Sequence, residues 1–508
     1  MRIVFRLDGP KTYPIDAIAQ RMVELDPTIV PFAHLVYITG TETESYVKNG
    51  SKVNYRDSIS TLDIFERYKA DKLDMDFLKE AEKKYAKPNF WNIVYHERLF
   101  NPYIHWNPGT HVYSESELLR WLQATIKHVE HVIRSFEPDV YIDCFTMLML
   151  RTITRLVCKY HNVKWLAPVN TRYKETACIA DNAIDYRPAL EQNYHKMIED
   201  GFTDLSTGYL EIKQFREKSK TAYNLVNIDL TWTKTVSIGY DLKKFFRLKW
   251  LRHLFLEVHY QLNKKDWKVN YRKGRPFDFL TYKLKYQYNK VMVRLSGIPE
   301  VDYSKETPYF LFTLCTIPEE ATEVRGPFFS DEIFVVKTIV KSLPVDCQLY
   351  VKEHSTMYYK RSFRFYKELA RIPKVKVLSP YCNIVDLIKN SQGVITIGGT
   401  IGFEAVIYGK ALIVFGHALY NFLDFVYKIK DLTELPYVMQ KARSYQADER
   451  KIAAFFQSII ETSFSFPFTL FENVGIGRKP GIEQFLVGDE GEYIKRVAKE
   501  FIKYLNQD

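Results

Sequence analysis

The sequence predicts an α/β protein built from two doubly wound, Rossmann-type domains. Three observations predict it. Short β-branched runs alternate with helical patterns at both ends of the chain. The turns after those runs collect polar residues and glycines, and 508 residues are too many for one ordinary core. Two units of roughly 200–250 residues are the natural division. The expected boundaries are an N-terminal domain over 1–187, a helical, basic and aromatic linking segment over 188–300, and a C-terminal domain over 301–480. A last helix within 481–508 is expected to pack back on the first domain.

The elements follow in order. Arg2–Leu7 reads as a strand, Ile15–Glu24 as a helix and His34–Thr39 as a second strand. Glu115–Phe136 carries Leu118, Leu119, Leu122, Ile126 and Val129 at near-helical spacing. A strand ending on Asp143, a helix over Met147–Tyr160 and a strand over Val163–Ala167 continue the βαβ rhythm. The segment from Pro188 to Pro299 shows no convincing strand. The rhythm resumes with strands Tyr309–Cys315, Gln348–Lys352, Lys374–Leu378, Gly393–Ile397 and Ala411–Phe415. Between them lie helices Ser330–Ser342, Phe363–Ala370, Ile384–Asn390 and Gly402–Tyr408, and Glu492–Leu505 ends the chain. Two such domains usually hold their ligand in the cleft between them.

Composition bounds the setting. A hydrophobic content of 46% with 26% charged residues is that of a soluble globular chain, and no run reaches the ~20 apolar residues of a membrane span. Six cysteines without CxxC or Cys/His spacing read as reduced thiols of a cytoplasmic protein, and nothing suggests a metal site. The net charge of +11 is concentrated: residues 241–290 hold 14 Lys/Arg against 4 Asp/Glu, interleaved with Trp250, Phe255, Trp267 and Phe279. That mixture suits either peripheral docking on the anionic inner face of the cytoplasmic membrane or a solvated helix packed on the protein body. Nucleic acid would use the same electrostatics but is not the expected partner.

Two turns carry most of the chemistry. In a parallel sheet the turns after the strands face the ligand. Gln348-Leu-Tyr-Val-Lys-Glu-His354 brings Lys352 and His354 to the same side of a strand end, where they can hold a phosphate or simply satisfy local structure. Val394-Ile-Thr-Ile-Gly-Gly-Thr-Ile-Gly-Phe-Glu404 runs from strand to helix through Gly398, Gly399, Thr400 and Gly402. Backbone amides and the Thr400 hydroxyl there suit a phosphate, and Glu404 one turn in suits ribose hydroxyls or a helix dipole. Glu319, just past the strand Tyr309–Cys315, can accept a hydrogen bond from a sugar or hold a catalytic cation, or serve as a first-turn helix charge. The pattern is neither a Walker loop nor GxGxxG.

In the N-terminal half, Asp8 and Asp143 each end a strand and are candidate general bases, though Asp143 equally suits a helix cap. Tyr95-His-Glu-Arg98 and Asn170-Thr-Arg-Tyr173 offer polar groups for an acceptor. Asp74-Met-Asp76 lies in a Lys/Glu-rich pattern and reads as a solvated helix face rather than a metal-binding DxD.

Tyr309 to Tyr420 resembles the capsular polysaccharide biosynthesis family, bacterial proteins similar to β-Kdo transferases. TIPEEAT, LYVKEHS and NIVDLIKNSQGVITIGGTIGFEAVIYGKALIVFGHALY stand where the family has its PE segment, LYVKEHP and its strand–SGTxGxEA–helix–GKPVxxFGxxY run. The resemblance covers about a fifth of the chain. It implies a GT-B-like fold with a nucleotide sugar held mainly by the C-terminal domain, and places Glu319, Lys352, His354, Thr400 and Glu404 at the donor. Ser355, Gly399 and Ala411 depart from the pattern, which leaves the donor open. The implied activity is a metal-independent glycosyltransferase of surface-polysaccharide synthesis that needs no cofactor beyond its donor. By family analogy the donor is a CMP-linked acidic sugar and the acceptor a glycan or lipid-linked glycan. A non-catalytic nucleotide- or glycan-binding protein of assembly or export, or a sugar-nucleotide epimerase on the same fold, are the alternatives.

Overall fold

The computed structural model describes residues 1–36, 42–86, 89–97, 114–143, 149–171, 173–182, 187–218, 255, 278–317, 319–466 and 482–506. Most of the basic segment 241–290 therefore lies outside the described residues, as do Cys144, Arg98 and Arg172.

Two mostly parallel sheets form the frame. The N-terminal sheet contains β1 (Arg2–Asp8), β2 (Val30–Val36), β3 (Ser58–Ser60), β4 (Val140–Ile142), β5 (Lys164–Asn170), β6 (Thr176–Ala180) and β13 (Phe464–Ser465). Its order is β13-β6-β5-β4-β1-β2-β3, with β6 and β13 antiparallel to their neighbours. The C-terminal sheet contains β7 (Tyr309–Thr313), β8 (Gln348–Lys352), β9 (Val375–Leu378), β10 (Gly393–Thr396), β11 (Leu412–Val414) and β12 (Val426–Lys428). Its order is β12-β11-β10-β7-β8-β9, parallel throughout. In each sheet the winding reverses once, between β1 and β4 and between β7 and β10, and there the crevice for a ligand opens. The fold is the pair of doubly wound, Rossmann-type domains that the alternation predicts, as the GT-B-like resemblance implies.

Strand alternation decides what each face receives. In β1, Ile3, Phe5 and Leu7 pack under helices Thr12–Leu25 and Gly488–Leu505. The other face, with Val4, Arg6 and Asp8, lies toward helices Glu115–Phe136 and Met149–Tyr160. The C-terminal sheet is covered likewise. Tyr309, Leu311 and Tyr350 sit beneath helices Ile384–Asn390, Ile401–Ile407 and Glu449–Glu461. Phe310, Phe312, Leu349 and Val351 sit beneath Glu332–Ser342 and Phe363–Ala370. Every one of these side chains is fully buried, so both sheets are sandwiched rather than one-sided.

Several expectations need correction. The second strand begins at Val30 rather than at His34, and residues 37–39 of the expected span lie outside the described residues. Pro31 hid it, but its carbonyl accepts from Arg56 N at 2.9 Å on the outer side, so its missing N–H falls where no ladder bond is required. The short strands β3, β6, β12 and β13 also escaped the pattern, having two to five residues each. The return to the N-terminal sheet begins at Phe464 rather than at 481, because β13 pairs with β6. Helices Pro188–Glu199 and Ser206–Lys218 place Leu190, Tyr194 and Ile212 in the C-terminal core rather than in a separate linker.

One buried charge cluster fixes the strand ends of the C-terminal domain. Arg361 lies between Glu332 (2.5 Å) and Glu353 (3.1 Å) and donates to Cys315 O at 2.6 Å. Glu332 accepts from Cys315 N at 2.6 Å, while Glu353 accepts from His354 N at 2.5 Å and the Tyr366 hydroxyl at 2.6 Å. The ends of β7 and β8 are thereby tied to one guanidinium. Arg361→Met should destabilise the protein by about 3–5 kcal/mol, because two carboxylates stay buried without their cation. Urea unfolding checks it; a loss within about 1 kcal/mol, the level of a surface ion pair, would show the cluster to be dispensable.

Candidate functional site

The crevice of the C-terminal sheet is lined by the turns after β7, β8 and β10. His354 follows β8 and is held by its own turn. The Thr356 amide donates to its Nδ1 at 3.3 Å, and the Thr316 and Thr356 hydroxyls lie 3.1 and 2.8 Å from the same atom. An acceptor Nδ1 puts the proton of the neutral ring on Nε2, which has no partner among the described residues. Burial, then the charges of Lys352, Arg361 and Lys360, push the imidazole down to about 4, so at neutral pH it is an uncharged donor.

Lys352 and Glu404 form the second part. Lys352 donates from Nζ to Pro380 O at 3.0 Å. Burial lowers its pKa, with Cys382 and Glu404 acting against the shift. Glu404, on the first turn of Ile401–Ile407, is buried, and its Oε2 has no hydrogen-bond partner among the described residues. Burial pushes its carboxyl up to about 8 against the pull of Lys352. A buried carboxyl with an unused oxygen is costly unless a ligand satisfies it.

The glycine turn is the third part. Gly399 N donates to Thr396 Oγ1 at 3.0 Å, and the Tyr420 hydroxyl donates to Gly399 O at 2.8 Å. A side chain at Gly402 would collide with the Tyr420 ring, so glycine is required for this bracing. A Cβ at Gly398 would come within 2.9 Å of His417 O. Thr400 occupies the N-cap position without a side-chain cap bond, which leaves its hydroxyl available. Lys410 turns away and donates to Ser391 O at 3.0 Å. It supports the fold at the opposite edge and takes no part in this group.

The corresponding strand ends of the N-terminal sheet carry a buried ion cluster. Asp8 and Asp143 do end strands, but both are buried among arginines. Arg151 lies 2.7 Å from Asp8 and 3.6 Å from Asp143, and Arg6 lies 3.6 and 3.3 Å from the same two carboxylates. Glu97 Oε2 accepts from Met149 N at 2.6 Å at the first described residue of the next helix, and residues 144–148, where a cap by Asp143 would fall, lie outside the described residues. Asp74 is an N-cap that accepts from Phe77 N at 2.9 Å, as a helix start requires.

The structure thus gathers Lys352, His354, Glu404 and the turn Gly398–Gly402 at one crevice, with Glu319 exposed at the end of β7. It leaves Asp8 and Asp143 in the other domain's ion cluster. Sequence reasoning missed Glu353, Arg361, Glu332 and Thr316, which hold His354 and its neighbours in place. Glu353 and Thr316 sat inside recognised motifs, LYVKEHS and TIPEEAT, and Arg361 and Glu332 did not. Among the described residues no helix is long and apolar enough to cross a membrane, and the five described cysteines form no disulfide with one another.

Residues 250–454 match the model of the family described as capsule polysaccharide biosynthesis protein. No curated protein matches the chain. Similar solved structures include the β-Kdo 2,7 transferase of Thermosulfurimonas dismutans KpsC, at 10% identity and a TM-score of 0.31 over 69% of this chain and 90% of that one. The β-Kdo 2,4 transferase of the same KpsC has 15% identity and a TM-score of 0.29 over 63% and 79%. UDP-GlcNAc 2-epimerase from Neisseria meningitidis has 10% identity and a TM-score of 0.22 over 99% and 100%. Likeness of that degree says nothing about what this chain binds. The matched segment 250–454 contains every residue of the crevice after β7, β8 and β10 and the motifs that resemble the family.

Proposed function

We propose that this chain is a glycosyltransferase of surface-polysaccharide synthesis that binds a nucleotide sugar at the C-terminal crevice. The observation that carries the reading is the convergence of an uncharged His354 donor, the Lys352–Glu404 pair and the glycine turn at one switch point. In transfer, the bond from the anomeric carbon to the donor phosphate breaks and a bond to the acceptor oxygen forms. The phosphate leaves with the bonding electrons, and His354 Nε2–H and Lys352 stabilise that charge. The acceptor hydroxyl loses a proton. Glu319 is the exposed carboxylate at the crevice and takes it, whereas Asp8 and Asp143 orient Arg6 and Arg151. The donor is a nucleotide sugar of the CMP-linked acidic class, transferred without a metal to a glycan or lipid-linked acceptor.

His354→Ala should lower turnover roughly 10²–10³-fold, the usual cost of a lost donor to developing negative charge. Glu319→Gln should lower transfer to the acceptor while donor binding persists. Radiolabelled sugar transfer with and without EDTA checks both. Unchanged turnover in the His354 variant would remove that residue from the mechanism.

Glu404 gives a proton-linked test. Its carboxyl, at about 8 in place of the ordinary 4.5, is mostly protonated at pH 7. Ribose hydroxyls donating to it favour the ionised form, so nucleoside binding at pH 7 should release protons. Calorimetry in buffers of different ionisation heat measures this, and Glu404→Gln should abolish it. Binding without proton release would separate Glu404 from the ribose.

The basic segment 241–290 is proposed to hold the enzyme on the inner face of an anionic membrane, each Lys or Arg contributing ~1 kcal/mol. Neutralising Lys243, Lys244, Arg247 and Lys249 should release the protein from phosphatidylglycerol vesicles in co-sedimentation. Undiminished co-sedimentation argues for a packed helix instead.

A further inference from the structure

The turn after β9, residues 379–383, is bonded directly to the crevice. Lys352, at the end of β8, donates from Nζ to Pro380 O at 3.0 Å. The turn is also fixed by its own bonds. Ser379 N donates to Glu300 O at 2.7 Å, and Tyr381 N donates to Ser379 Oγ at 3.3 Å. Asn383 caps the following helix, Ile384–Asn390, by accepting from Val385 N at 3.0 Å. Between these anchors Tyr381 is 42% exposed. It is the one exposed aromatic side chain among the described residues of the turns after β8, β9 and β10.

A row of rings supports Tyr381 from behind. It meets Tyr358 edge to face, with centroids 5.8 Å apart and planes at 82°. Tyr358 ends the short turn Ser355–Met357 that His354 caps, and it stacks on Tyr359 at 3.9 Å. Tyr359 has a φ of +66°, a left-handed conformation that a bulky side chain keeps only where its surroundings hold it. Arg294, on helix Asp278–Ser296, is part of that hold: its Nε donates to the Tyr359 hydroxyl at 3.3 Å, and its guanidinium lies 5.6 Å from the ring centre. Tyr381 is thus backed by a braced aromatic wall that begins at the His354 turn.

The other side of the turn adjoins Glu404. Cys382, next to Tyr381, shares one core cluster with Ile401 and Phe403 of the helix that carries Glu404. The strand order runs β10-β7-β8-β9, with neighbours ~4.8 Å apart. Base and phosphate leave a ribose from opposite ends. With the ribose at Glu404 and the phosphate at the glycine turn after β10, the base is directed toward the ends of β8 and β9.

We propose that Tyr381 is the platform on which the base of the bound nucleotide stacks. The inference rests on the nucleotide-binding reading above and adds a base subsite, at a residue outside every motif of the sequence. Tyrosine offers a large flat face with few rotatable bonds to immobilise, and every base has a π-face to lay on it. Tyr381 therefore sets affinity, while the choice among bases falls to hydrogen bonds at their edges.

The test is calorimetric titration of the full chain with CMP, UDP and GDP. Tyr381→Ala should weaken the nucleotide that the wild type binds by roughly five- to a hundredfold, the range for one lost stacking contact. Tyr381→Phe keeps the ring and should bind within about twofold of wild type, whereas Tyr381→Leu keeps only apolar bulk and should be as weak as Tyr381→Ala. Wild-type affinity in Tyr381→Ala overturns the proposal and leaves the nucleotide site standing. Tyr381→Phe as weak as Tyr381→Ala assigns the effect to the hydroxyl, and Tyr381→Leu as tight as wild type assigns it to apolar packing; either overturns the stacking role. Wild-type protein that binds none of the three nucleotides sinks both this inference and the nucleotide reading.

Discussion

The C-terminal site depends on one buried guanidinium. Arg361 holds Glu332 and Glu353, and those two carboxylates hold the backbone at Cys315 and His354. Burial pushes the Glu332 carboxyl up to about 7, against the pull of Arg361, so one proton near neutrality moderates the excess negative charge. The arrangement converts a buried ion cluster, which contributes little net stability, into positional accuracy for the loops above it. His354 can remain neutral and aimed because nothing in its turn is free to relax.

The two domains use the same winding for opposite ends. At the N-terminal switch point, Arg6, Asp8, Asp143 and Arg151 form one buried ion cluster. At the C-terminal switch point the equivalent groups are left incomplete: an unused Glu404 oxygen, an unpartnered His354 Nε2 and an uncapped Thr400. Incomplete hydrogen bonding in a well-packed domain is where a ligand is expected.

Legibility followed locality. The turns at Lys352–His354 and Gly398–Glu404 could be read because strand, turn and helix are contiguous there, and their periodicity changes within a few residues. Glu353 could be seen but not interpreted, since its partner Arg361 is eight residues on and Glu332 twenty-one residues back. Asp143 misled for the same reason: its register beside Arg6 depends on β1 lying next to β4, more than a hundred residues apart in sequence. Pro31 concealed a strand because only the pairing direction reveals that its absent N–H is harmless. Short edge strands such as β13 carry too few residues for any alternation to emerge.

The chain leaves the N-terminal sheet after β6 and re-enters it at β13, and these two strands are hydrogen-bonded neighbours. The passages on either side also touch, with helix Glu449–Glu461 packed on Pro188–Glu199 and Asn193 donating to Glu461 at 2.8 Å. Two covalent connections laid side by side act mechanically as a strap rather than a tether. Such a strap resists twisting and sliding but yields to bending along one edge. Any relative motion of the two domains is therefore constrained along that edge.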